Sequence, residues 1–213
     1  MSVQLPNGAV VAIASGYATA LSMTALSNAT SAVATTATNT YAVGDLLEVT
    51  SGWSRLTNKV VRLSAATATS ATFENIDTTS TSVYPALGGA GTVRKISGWT
   101  QLSQILSSSS NGGEQQFLDY QLLEADSQKR IPTTKSAAGL TFSVADDATL
   151  PGYILASTAN DDRQPRAVRI TLPSGGIILY NAYISLNKTP SLTVNELMAV
   201  EVTLSLLAEV VRY

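Results

Sequence analysis

From residue 114 onward, apolar and polar positions alternate in well-separated blocks. In an extended segment at 114–124, Leu118, Tyr120 and Leu122 fall on one side, and Phe117, Asp119 and Gln121 on the other. A polar stretch follows at 125–138. Leu140, Phe142 and Val144 then alternate with Thr141 and Ser143, and Val168, Ile170 and Leu172 alternate with Arg169 and Thr171. Pro173-Ser174-Gly175-Gly176 is a turn into a longer strand at 177–187. Residues 194–211 are rich in Val and Leu with Glu196, Glu201 and Glu209 interspersed, and the alternation from Val202 to Leu206 favours a strand over a helix. Between these strands the pattern predicts one helix at 149–159. Asp146 and Asp147 suit its positive end, Thr149 is the expected cap, and Pro151 sits where its missing N–H costs nothing. Ile154 and Leu155 are expected to face the sheet, and Asn160-Asp161-Asp162 to end the helix.

The first half is rich in Ala, Thr and Ser, yet Val, Leu, Tyr and Trp recur in it at short intervals, which argues for short strands rather than disorder. Leu46-Leu47 with Val49, residues 59–63 and residues 71–74 are each bounded by turn chemistry at Gly44-Asp45, Ser51-Gly52 and 77–82. The segment from Tyr41 to Trp53 resembles a small SH3-like barrel, in which a Gly-Asp turn opens a strand and an aromatic packs on the next hairpin. Gly88-Gly89-Ala90-Gly91 then gives a flexible exit, and Thr92 to Ile96 returns as a strand. This divides the chain into an N-terminal core segment at 1–19, a small β-subdomain at 20–92 and a main core at 93–213. Ser51-Gly52-Trp53 and Ser97-Gly98-Trp99 share an SGWxxL pattern, but nothing around them repeats, and shared turn geometry is the simpler reading.

Composition narrows what such a protein does. Lys and Arg number 13 against 15 Asp and Glu, a net charge of −2, and charged residues are only 13% of the chain. A soluble monomer ordinarily relies on surface charge to resist association, so a surface of Ser, Thr, Asn and Gln points to coverage by neighbours. The chain has neither Cys nor His. It therefore has no disulfide framework or thiolate metal site, and it lacks the commonest general base, which excludes most hydrolase designs. The apolar run at 9–14 is too short to span a bilayer, and no charge precedes Asp45, so no targeting or membrane segment is expected.

The remaining candidate chemistry is weak. Asp146-Asp147 and Asp161-Asp162 are adjacent pairs whose side chains diverge, with no third ligand at a helpful spacing, and they read as solvated charge at the helix ends. The glycine clusters lack the Lys-Ser/Thr that phosphate binding needs. Lys129-Arg130 with Lys135, and Arg163, Arg166 and Arg169, are basic groupings offset by Glu124, Asp126, Asp161 and Asp162, which favours interface ion pairs over nucleic-acid binding. No catalytic residue, cofactor or metal ligand is expected.

The order of elements resembles the tail tube, or major tail, proteins of long-tailed, lambda-type bacteriophages. The ordered set is a strand at 114–123, a long polar loop at 125–138, a strand at 140–144, a helix at 149–159, a hairpin turning at Leu172-Pro173-Ser174-Gly175, and a closing strand at 196–213. The resemblance implies a β-sandwich flanked by one helix, six subunits closing a ring around an inner β-barrel, and rings stacked into a conduit for the genome. Ring closure would also pair sheet edges that otherwise template aggregation. The implied partners are further copies of the chain, a tape measure protein, tail terminator and distal tail proteins, and double-stranded DNA passing through the lumen, with no membrane. The implied location is the virion tail, assembled in the host cytoplasm.

Under this resemblance the face opposite the core lines the channel. Asp119, Gln121, Thr141, Ser143 and Thr171 fall there, with Asn181 and Ser185 added by the 177–187 strand. Arg169 falls on the same face, where Asp119 or another carboxylate is expected to neutralise it. The polar loop is expected to meet the next ring through Asp126, Ser127, Gln128, Lys129, Arg130 and Lys135. The alternative is a carbohydrate- or receptor-binding β-module using Trp53, Trp99, Tyr84 or Tyr41 as stacking surfaces. Against it, only 6% of the chain is aromatic.

Overall fold

The computed structural model describes residues 7–213, so the first six residues of the expected core segment lie outside it. Its first strand, β1 (Val10–Tyr17), buries Val11, Ala12, Ile13 and Ala14 in succession. A run that is apolar on both faces belongs inside a sheet covered on both sides.

A closed barrel follows. Its strands are β2 (Leu21–Leu26), β3 (Val33–Thr36), β4 (Leu46–Ser51), β5 (Lys59–Thr67), β6 (Ser70–Phe73) and the start of β7 (Gly91–Leu102). They run β2-β3-β6-β5-β4-β7, and β7 returns to β2 through Leu21↔Val93. So small a barrel encloses no channel and is filled by side chains, here Met23, Leu47, Val49, Leu63, Phe73 and Val93. Gly91 permits the closure: a Cβ there would run into the Thr50 carbonyl. Trp53 is only 2% exposed, donates its indole N–H to the Pro85 carbonyl at 2.8 Å, and meets Tyr84 edge-on. That burial removes the principal stacking surface of the carbohydrate-binding alternative.

Strand β7 continues past the barrel. Residues up to Lys95 pair with β4, and those from Ile96 to Leu102 pair with β1. At Gly16 and Gly98 the register slips in a bulge, and a bulge bends a strand. Ser97-Gly98-Trp99 is thus mid-strand and not the turn its sequence suggested, unlike Ser51-Gly52-Trp53.

The remaining elements are β8 (Ile105–Asn111), β9 (Gln115–Tyr120), β10 (Lys129–Lys135), β11 (Gly139–Ala145), α1 (Pro151–Asp162), β12 (Arg166–Thr171), β13 (Ile177–Asn187), β14 (Ala199–Leu206) and β15 (Val211–Arg212). The main sheet is antiparallel in the order β7-β1-β12-β13-β14-β11-β8, with β15 beside the first part of β13. The chain is mainly β with one helix among the described residues, as its alternation predicts.

The helix packs on one face of the sheet, where Leu102, Val168, Ile184, Val202 and Phe142 share one core with Ala156 and Ala159 of the helix. Small residues let the helix come close; a Cβ on Gly152 would strike the Gln101 carbonyl. Pro151 opens the helix as expected, but Leu150 occupies the cap position without a side-chain bond, because the Thr149 hydroxyl donates to Asp147 at 2.6 Å. Leu155 packs on the core, whereas Ile154 is 53% exposed and does not face the sheet. The helix ends in Arg163, which is left-handed at φ 54°.

Two expectations fail at residues 114–138. Leu118 and Leu122 are 58% and 45% exposed, and neither they nor Tyr120 belong to any core cluster. The supposed polar loop contains β10, which pairs with β9 through Ile131↔Leu118 and Lys129↔Tyr120. Together they form a hairpin arm outside the main sheet. The partner that the sequence assigned to β9 was the core; its actual partner is β10.

Candidate functional site

On the face opposite α1, the register of four strands aligns polar residues in rows. Ser109 stands opposite Thr141, Thr141 opposite Thr203, and Thr203 opposite Ser185. The next row is Ser107, Ser143, Glu201 and Asn187. Alternation forces this result: Phe142, Val144, Val200, Val202, Ile184 and Leu186 take the core face, so their neighbours take the other. Thr141 and Thr203 hydroxyls lie 3.4 Å apart. Glu201 is the lone charge on these two rows. Sequence reasoning noted Glu201 without placing it, although its parity with Thr203 carries the signal.

Thr141, Ser143 and Ser185 therefore come together as expected, while the other residues assigned to that face do not join them. Arg169 and Thr171 share its side of the sheet but lie on β12, beside β1, where both are half-buried. The Arg169 guanidinium stacks 4.7 Å over the Trp99 ring, and its expected neutraliser is elsewhere. Asp119 sits on the arm, paired with Arg130 at 2.6 Å. Gln121 is at the arm's turn, its amide donating to the Ala125 carbonyl. Asn181 is 2% exposed and faces the barrel, where it donates to Glu48 at 3.2 Å. It has the parity of the polar face, but the barrel covers that end of the sheet through Leu46 and Val60, against Ala167 and Leu179.

The polar face ends at β8, whose outer edge pairs with no strand among the described residues. Ile105 to Asn111 contains no Pro and no charge, the usual devices that protect an edge from pairing with another chain. The Ser run gave no apolar period by which to recognise it as a strand.

The arm is the third surface. Asp126, Ser127 and Gln128 lie at its turn, and Lys129, Arg130 and Lys135 on β10. Two of these cations already have partners in their own chain. Arg130 binds Asp119, and Lys135 binds Glu209 at 2.9 Å. Glu209 also lies 3.8 Å from Lys59 on the barrel, so this carboxylate ties the arm's base to β5. The hydrogen bond from Lys135, aided by the charges of Lys59 and Arg55, holds the Glu209 carboxyl below its ordinary range. Beneath the arm's base is an open cavity of about 550 Å³ lined by Arg55, Thr134, Lys135 and Glu209 among others. No group of three or more acidic side chains among the described residues is arranged to hold a metal ion, and no helix is long and apolar enough to cross a membrane.

A free uncharged edge, a polar sheet face and a projecting arm are features of a part built to be joined. The sequence profile of one family, described as phage tail tube protein (TTP), matches residues 51–213. The chain belongs to the phage tail tube protein family. It is thus a structural component of the phage tail and of the virion. No curated protein sequence matches it. Among solved structures it is similar to the sheath/tube terminator of the PVC extracellular contractile injection system in its extended state, at 16% identity and TM-score 0.42, over 53% of this chain and 86% of that one. It is also similar to the tube-terminating cap of the anti-feeding prophage, at 20% identity and TM-score 0.38, over 53% and 81% of the two chains. The tail tube family is a structural one.

Proposed function

We propose that this tail tube protein closes into homohexameric rings by pairing the β8 edge with a neighbouring copy, and that the rings stack into the tube through which the genome leaves. The polar face is then the channel wall. The observation that carries this reading is the continuity of the uncharged β8 edge with the Thr141, Ser143, Thr203 and Ser185 rows. Lateral pairing extends those rows around a ring and removes the exposed edge. A wall of hydroxyls with one carboxylate per subunit offers phosphates no counter-charge, so DNA is not held.

In this reading the tube core comprises residues 1–19 and 93–213, with 20–92 as an added β-unit. Tape measure, terminator and distal tail proteins meet the ends of the tube, and assembly takes place in the host cytoplasm. Because the chain has no Cys, Thr141→Cys gives a single thiol. Purified protein should form tubes visible by negative stain, and a maleimide too bulky to enter the channel should label dissociated subunits but spare tubes. Tubes labelled as readily as subunits would place Thr141 on the outside and overturn the assignment.

A further inference from the structure

Among the described residues two apolar surfaces, each built from several neighbouring side chains, have no partner, and they lie at opposite ends of the same sheet. The first is the arm. Leu118 pairs across from Ile131, so both share one face, 58% and 48% exposed, and Leu123 stands fully out at the turn. An isolated two-stranded ribbon is marginally stable in water and needs a covering partner. The second is the loop between β13 and β14. There Leu192, Val194 and Leu197 are 80%, 84% and 70% exposed, and Met198 follows at 51%. This loop is built rather than slack: the Ser191 N–H donates to the Ala199 carbonyl, the Ala199 N–H donates to the Ser191 hydroxyl, and Asn195 makes a left-handed turn at φ 66°.

Register fixes their separation. The arm leaves the sheet from Asn111 and Gly139, which align with Ser205 of β14. The apolar loop joins Asn187 to Ala199, and Ala199 aligns with Ala145 at the other end of β11. Strand β14 lies between them along its whole length, so the arm of one subunit has no route to its own loop. Two different patches that fit each other but not themselves make a heterologous, head-to-tail contact, and such contacts propagate in one direction.

Charge supports the match. Among the described residues, Lys129 on the arm and Glu196 in the loop both lack an ion-pair partner. Lys129 pairs with Tyr120 and lies two residues before Ile131, on the Leu118 face. Glu196 sits between the exposed Val194 and Leu197. On its paired strands the Leu118/Ile131 face carries Lys129 alone, with Glu124 and Asp126 beyond it at the turn, and the loop carries Glu196, of opposite sign to Lys129.

We infer that the Leu118/Ile131 face of the arm docks on the 191–198 loop of a second copy in the next ring, with Lys129 meeting Glu196. This deepens the stacking reading above and rests on it. It also gives the tube a polarity, since every subunit donates an arm at one end and accepts one at the other.

The test uses full-length protein in two single-cysteine forms, Ile131→Cys and Val194→Cys. Oxidised under tube-forming conditions, the mixture should give disulfide-linked dimers, and neither form alone should. The double variant should give a ladder of higher multimers. In parallel, Glu196→Lys should slow tube elongation about tenfold, as loss of a central interface contact does, and adding Lys129→Glu to it should restore the rate. If tubes form but the mixture gives no cross-link, or if the double charge swap is as slow as Glu196→Lys alone, the docking assignment is wrong while stacking stands. A cross-link within either single form signifies symmetric contacts and also overturns it. If no tubes form from the unmodified protein, the ring-stacking reading itself fails, and this inference with it.

Discussion

The side-chain amide of Asn181 donates to Glu48 across 3.2 Å, joining β13 of the sheet to β4 of the barrel. The other Glu48 oxygen receives Arg94 at 2.7 Å, and Arg94 lies 4.0 Å over the Tyr17 ring. Tyr17 in turn accepts the Ala167 N–H at 2.8 Å. Barrel and sheet are therefore latched by a polar chain at a buried seam. Glu48→Ala leaves the buried Asn181 amide without its partner, while Arg94, about a third exposed, can turn to water, so it should cost roughly 1–3 kcal/mol, the usual effect of stranding a buried polar group. Urea unfolding of the two proteins measures this, and a loss below about 1 kcal/mol would show that the seam is held by Leu46 and Val60 alone.

The arm's tether should respond to pH. Lys135 and the nearby Lys59 and Arg55 lower the folded-state value of Glu209, so its contribution is fully present above the unfolded Glu value of about 4.3 and is lost as pH falls through the folded value. Glu209 is largely exposed, so global stability should barely change. The expected outcome is local: amide exchange in 129–135, corrected for its intrinsic pH dependence, should accelerate on acidification. In Glu209→Gln it should be fast already at neutral pH and show no such step.

Removing the arm should separate folding from assembly. Because residues 115–135 contribute nothing to the core clusters, replacing them with a short Gly-Ser link should change stability by less than about 1 kcal/mol. Tubes should be absent in sedimentation and negative stain. Normal tubes from this variant would mean that rings stack by another surface.

Glu201→Lys should fold and assemble, since Glu201 is exposed and its β14 neighbours keep their core packing. It converts the proposed wall from one carboxylate per subunit to one cation. The Debye length is about 8 Å at physiological salt, so the change acts on DNA passing close to the wall. Phage carrying it should release DNA more slowly in a dye-uptake assay while bearing tails of normal length. Unchanged release would place Glu201 away from the DNA.

The strands within 139–145, 166–171, 177–187 and 199–206 are legible because apolar and polar positions alternate in them, and the turn between β12 and β13 because it uses Pro and Gly. Thr141, Ser143 and Ser185 could be grouped on one face for the same reason. Alternation says which residues share a side but not what covers it, and this explains the errors. Leu118 and Ile131 carry the same signal whether they face a core or a partner, and Asn181 has the parity of an open face but lies beneath the barrel. Strand β8 was hidden because Ser107 to Ser110 is polar on both sides. The pattern from Val194 onward favours a strand, yet residues 194–198 form an exposed loop, since Val and Leu suit either role.

Strand β7 serves both the barrel and the sheet, and this orders events during synthesis. Translation delivers β1 to β6 first, but the barrel has no closing strand, and β1 lacks the neighbour that Trp99 to Leu102 will supply. Until then, the apolar run from Val11 to Ala14 stays unpaired. Nascent chains stalled before Gly91 should therefore be clients for chaperones, and those released just beyond Leu102 should gain protease resistance in one step.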